Sequence, residues 1–211
     1  VDEHNIRRHE AFSDIVIGFS LAQLGLLLQI PQHGSDLFTD PVWLFGFALA
    51  FANVCALWWF HHRLFSTMWT ARPLPVLLNF AWLATFVLCI YATQAVYRLG
   101  LDPDAFRFYF MMFALTYGLL TLQYSICRRE RSGTLDALAI LRGERQMSMM
   151  ALWTLNFVIV WLMWSPWTVE RLAPFTFAPF LASAILSSVL ARRYRVQEAR
   201  LSVPGQEQEQ G

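Results

Sequence analysis

Six side chains, Arg8, Ser13, Asp14, His61, His62 and Asn79, break into otherwise apolar stretches. An acid, a guanidinium, two imidazoles, a hydroxyl and an amide can do two kinds of work inside a membrane. They can bond one another and tie helices together, or they can handle a cation. An ionisable group in an apolar span is costly, so it faces protein or water and takes a partner. Asp14 is also too short to reach the headgroups by extending along the helix. Other chemistries find little support. No nucleophile–base set, glycine-rich phosphate loop or metal-ligand spacing is present. His61 and His62 are neighbours on one segment, which does not suit axial ligation of a haem from two helices. Cys55, Cys89 and Cys127 read as small buried hydrophobes.

The elements that must position these residues follow from composition. The chain has 211 residues, of which 56% are hydrophobic and 15% charged. That is too apolar for an ordinary soluble domain and points to an all-α polytopic membrane protein. A bilayer core takes about 20 apolar residues per helix. Six such runs are found, at residues 10–30, 42–64, 75–98, 105–127, 148–167 and 173–191. The breaks carry proline and turn residues, and Asp104 is a plausible N-cap for the fourth run. Residues 1–195 read as one six-helix membrane domain and residues 196–211 as a disordered, Gln/Glu-rich tail.

Every basic residue is an arginine, and the arginines are unevenly placed. Arg7 and Arg8 precede the first run. Arg63 and Arg72 flank the second link. Arg128, Arg129, Arg131, Arg142 and Arg145 fill the fourth link, and Arg192, Arg193, Arg195 and Arg200 follow the last run. The opposite side has Arg98, Arg107 and Arg171. The bias puts both termini in the cytoplasm. It also brings the six polar residues within one or two helical turns of a common depth. In the fourth link, Leu135, Leu138 and Leu141 at helical spacing suggest a short amphipathic helix on the membrane surface. Trp58, Trp59, Trp69, Trp164 and Trp167 near run ends suggest an interfacial belt.

The first run has two distinct faces at about 100° per residue. Ile15, Phe19, Ala22 and Leu26 share a large apolar face. Ala11, Asp14, Gly18 and Gly25 form a neighbouring face of small side chains, suited to close helix approach. The apolar face can point to lipid or to copies of itself around an axis. Periodicity does not separate the two.

Residues 8–14, RHEAFSD, resemble the R-x-x-x-F-S-D signature of the transmembrane protein 175 family, which comprises lysosomal potassium channels and prokaryotic homologues. WWFHHRLF at residues 58–65 and Asn79 resemble that family's further motifs, in the right order and spacing. The resemblance implies a passive potassium channel of the prokaryotic type, in a prokaryotic cell membrane, and not an enzyme. It implies six spans per subunit, a homotetramer, and a first helix that lines the pore without a carbonyl filter. Potassium is then the permeant ion, and no cofactor is implied. Ile15, Phe19, Ala22, Gln23 and Leu26 fall to the pore and its constriction. Arg8, Phe12, Ser13, Asp14, His61, His62 and Asn79 fall to a structural polar network. Two positions depart from the family's pattern. Phe19 stands where an aliphatic residue is usual, and Ala22 stands where many members have threonine. Gln23, about 40° from Phe19 around the helix, offers an amide in place of the missing hydroxyl. The same two departures suit an alternative, a non-conducting scaffold or partner subunit with this fold.

Overall fold

The computed structural model describes residues 3–26, 41–99, 102–131 and 133–202, and all regular structure in them is helical. The helices are α1 (Glu3–Gly25), α2 (Pro41–Thr67), α3 (Pro73–Leu99), α4 (Pro103–Arg131), α5 (Ala137–Met163), α6 (Val169–Leu172) and α7 (Phe177–Ser202). Among the described residues, α3, α4 and α5 are long and apolar enough to cross a membrane. Prolines open α2, α3 and α4, where the missing N–H has no intrahelical partner to lose. The cap of α4 is Asp102 rather than Asp104, because the Asp102 carboxylate accepts the Ala105 N–H at 2.8 Å. Asp104 sits one turn from Arg107 instead, at 3.8 Å.

Two boundaries differ from the sequence reading. Residues 137–147 are not a separate surface helix but the first turns of α5. Asp136 starts that helix by accepting the Ala139 N–H at 2.6 Å, and no proline intervenes before Trp164. At the other end of the chain, α7 runs through Val196 to Ser202, so residues 196–202 are ordered helix. Glu198 holds this extension to α5 by pairing with Arg145 at 3.1 Å. The end of the first apolar run and the tail beyond residue 202 lie outside the described residues.

The core lies between α3, α4 and α5, with α7 packed outside α5 and α1 packed on α3. Lipid is as apolar as leucine, so close packing and hydrogen bonds must do what burial from water does in soluble bundles. Phe157 on α5 stacks on Phe113 (5.2 Å between centroids) and Tyr117 (5.5 Å) of α4, and Phe180 of α7 meets its edge at 5.5 Å. Each such ring pair adds about 1 kcal/mol beyond the area it covers. Three polar side chains of α4 cross to its neighbours. The Tyr117 hydroxyl donates to Asn53 and the Tyr124 hydroxyl to the Phe60 carbonyl, both at 2.8 Å, and the Gln123 amide donates to the Leu78 carbonyl at 3.0 Å. These bonds set the position of α2 and α3 against α4.

The tryptophans divide. Trp167 is fully exposed and Trp59 half-exposed, as an interfacial residue should be. Trp69 and Trp164 are buried instead. Trp69 stacks on Phe65 at 4.2 Å, while Trp164 stacks on Phe106 at 4.3 Å and donates its indole N–H to Thr176 at 2.9 Å. Ring stacking inside the bundle outweighs the pull of the interface for these two.

Gly143 of α5 lies against the turn after α2. A Cβ there would collide with the methyl end of the buried Met68. Gly143→Val is therefore expected to lower stability by about 1–3 kcal/mol, the usual range for overpacking. A fall in the thermal midpoint of the purified protein checks this. Met68→Ala in the same chain should recover part of the loss.

Candidate functional site

The site begins with how α1 is held. Its buried residues are Ser13, Ile17, Ser20 and Leu24, spaced four, three and four apart, which makes a single stripe. At about 100° per residue the middle of the Ile15, Phe19, Ala22 and Leu26 face lies almost diametrically opposite. That face is bare: Ile15 is 58% exposed, Phe19 72% and Leu26 75%. Ala22 and Gln23 are exposed too. The Gln23 backbone carbonyl accepts from the Gln94 side chain of α3 at 3.3 Å, which anchors α1 without engaging the Gln23 amide. Of the small face of Ala11, Asp14, Gly18 and Gly25, the two glycines are not pressed against a helix of the same protomer. A Cβ on Gly18 or Gly25 would meet nothing within 4 Å.

The buried stripe carries the polar anchor. Ser13, His61 and Asn79 are essentially inaccessible and lie on α1, α2 and α3 respectively. The Asn79 amide donates to Ser13 Oγ at 3.1 Å, and Ser13 Oγ donates to the His9 carbonyl at 2.9 Å. Asn79 Oδ1 therefore faces His61 Nε2, 2.8 Å away. A carbonyl oxygen only accepts, so the imidazole must carry its proton on Nε2. The result is a chain in which every link donates in one direction: His61 to Asn79, Asn79 to Ser13, and Ser13 to the α1 backbone. Trp82 lies flat on the His61 ring at 4.2 Å and 10°, which fixes its orientation.

Asp14 and His62 stand beside this chain rather than in it. Asp14 accepts the Trp58 indole N–H at 3.0 Å. His62 Nδ1 lies 3.0 Å from a Glu10 carboxylate oxygen and stacks against Trp58. His61 and His62 are adjacent but about 100° apart on α2, so one turns toward α3 and the other toward α1. Arg8 does not join Asp14. It lies about 120° from Asp14 around α1 and is exposed, lining a shallow cleft with Asn5, His9, Phe12 and Phe80. Phe12 meets the edge of Phe80 at 5.9 Å, so it braces α1 on α3 by ring contact.

Sequence reasoning missed Glu10, Trp58, Trp82 and Phe80. Helical spacing carried part of the signal. Trp82 is three residues beyond Asn79, and Trp58 three before His61, so each shares a face with a residue already singled out. Nothing in the spacing marked Glu10 as the partner of His62.

The arrangement does not resemble a catalytic centre. Its polar atoms are used in holding helices together, and what it leaves open to a partner is an apolar helix face. Residues 8–89 match the model of the family described as endosomal/lysosomal potassium channel TMEM175. That stretch contains the whole anchor. No curated protein matches the chain. Among solved structures, the fold is similar to that of the potassium channel MtTMEM175, crystallised as a variant in complex with a nanobody–MBP fusion protein. The TM-score is 0.59 at 17% identity, over 92% of this chain and 93% of that one. This chain is an integral membrane protein with a similar all-helical fold, and its residues 8–89 carry the match to the TMEM175 potassium channel family model.

Proposed function

We propose that this chain is one subunit of a potassium-permeable channel, a homotetramer in which α1 lines a central pore. The observation that carries the proposal is the bare face of α1. Phe19 and Leu26 are about three-quarters exposed on a helix whose opposite side is bonded into the bundle. Four such faces around an axis would enclose an apolar constriction of Ile15, Phe19, Ala22 and Leu26, with the Gln23 amide beside it. Such a constriction conducts when wetted and closes when dewetted, and it discriminates among ions by the cost of stripping their water. Six helices, α1 to α5 and α7, span the bilayer in this reading. Both termini lie in the cytoplasm of a prokaryotic cell, on the side richer in arginine. Lipid, potassium and three further copies of the chain are the partners, and no cofactor takes part.

A second reading keeps the fold and removes the flux. Phe19 is larger than the aliphatic residue usual at its position and Ala22 lacks a hydroxyl, so a permanently closed subunit serving as a scaffold has the same face. Potassium flux into liposomes carrying the purified protein, with sodium as comparison, separates the readings. The channel reading expects flux that favours potassium and a mass of four subunits in detergent. A stable monomer with no flux at verified reconstitution overturns it.

A further inference from the structure

A cleft of about 280 Å³ opens between residues 63–67 of α2, the first turns of α5 and the last turns of α7. It belongs to neither the bare face of α1 nor the polar anchor. Arg63, Arg142 and Arg145 line it, and Glu198 is the one acid among its lining residues. Three guanidiniums against one carboxylate leave two positive charges in excess. Arg63 is held by the Trp59 ring, 4.8 Å below its guanidinium carbon, which leaves its N–H groups available.

The resident acid is a poor fit. Glu198 Oε1 lies 3.1 Å from Arg145 and 3.8 Å from Arg142, yet it is buried without a properly aligned hydrogen bond to either. The Gln146 side-chain oxygen, at the same cleft, is also buried without a hydrogen-bond partner. A flip of that amide would turn the acceptor into a donor. The cleft thus holds more donors than one flat carboxylate satisfies. A tetrahedral anion of two charges would engage several guanidinium forks at once.

We propose that this cleft binds a phosphomonoester group, and that Glu198 is a built-in surrogate that the phosphate displaces. Its surroundings suit a lipid headgroup. The cleft sits at the arginine-rich end of the bundle, and Val189 and Val196 of α7 are exposed apolar residues nearby in sequence. Basic clefts between helices at such a boundary hold anionic headgroups. Free phosphate has the same chemistry and is the other source. Displacing Glu198 would release the end of α7 from α5. The proposal is independent of conduction.

The test uses the full chain in detergent micelles doped with phosphatidic acid, with phosphatidylcholine as control. Binding is read as lipid adducts in native mass spectra and as a rise in thermal midpoint. The expected result is retention of phosphatidic acid over phosphatidylcholine. Glu198→Gln should raise the affinity for phosphatidic acid and Arg142→Gln should lower it, each about fivefold, the effect of one charge near a membrane surface. Arg142 is half-exposed, so its replacement should fold even if Arg145→Gln does not. Competition by inorganic phosphate supports the site and shows that a free anion suffices, whereas its failure to compete supports the site and shows that the lipid is required. Equal retention of the two lipids overturns the proposal. So does a Glu198→Gln variant whose affinity is unchanged or reduced, since that is what a purely structural ion pair would give.

Discussion

Phe19→Ala is expected to raise potassium flux through the reconstituted protein roughly tenfold, the effect of lowering a barrier by about 1.4 kcal/mol. The ring is the largest side chain on the bare face of α1, and it stands 72% exposed in the protomer. Removing it should therefore leave the packing of the subunit nearly untouched, within the ±0.5 kcal/mol or so typical of surface changes. In the assembled pore the same change would widen a ring of phenyl groups to a ring of methyls. A wider apolar constriction stays wet more of the time, which is why flux should rise rather than fall. Selectivity should move the other way, because a wetter passage strips less water from the ion. Ala22→Thr, which places hydroxyls one turn further along the same face, should raise the preference for potassium over sodium. If Phe19→Ala passes no more cation than wild type, Phe19 is not at the constriction.

The second large effect lies on the other side of the helix. Asn79→Leu should lower the stability of the folded protein by about 3 kcal/mol, since each buried polar group left without a partner costs about 1–3 kcal/mol. Asn79 is bonded to both α1 and α2, so its loss strands the His61 Nε2–H and opens the link to Ser13. Ser13→Ala should cost less, because it leaves the His61 bond intact. The double variant should cost less than the two singles added together, as members of one network do. His62→Gln is the control. Its partner Glu10 and His62 itself are both partly exposed, and such pairs contribute about 1 kcal/mol or less. The thermal midpoint in detergent, read beside the proportion of intact oligomer, gives all four values. An Asn79→Leu protein that melts with wild type would remove the anchor from the argument.

Both effects trace to the same helix, yet they were not equally legible in the sequence. The apolar face of α1 is a matter of angle, and spacing alone grouped Ile15, Phe19, Ala22 and Leu26. The all-α class followed from composition. The anchor was legible in kind, because polar groups at a common depth must find partners, but not in detail. Arg8 was grouped with Asp14 on depth, whereas the angle between them sends the two apart. The acid took an indole, Trp58, that hydropathy marks only as an interfacial residue. Boundaries suffered where two rules compete. Residues 137–147 are polar enough to read as a surface segment, yet nothing in them stops a helix, and α5 runs straight through. Val196 begins a stretch that composition calls a tail, but Glu198 has arginines waiting on a helix some fifty residues earlier. Pairings of that kind depend on tertiary placement and leave no local mark.

The one-way bonding from His61 to the α1 backbone has a consequence for how the protein is made. Ser13 and its partner Asn79 are 66 residues apart. At a synthesis rate of about 5–20 residues per second, α1 emerges several seconds before the residue that completes it. In that interval Ser13 can bond only its own backbone, whereas the indole that caps Asp14 is made earlier, with α2. The bond that ties α1 to α3 can therefore form only after the third helix has been made. Docking of α1 is thus completed late, by an asparagine made 66 residues after the serine it holds.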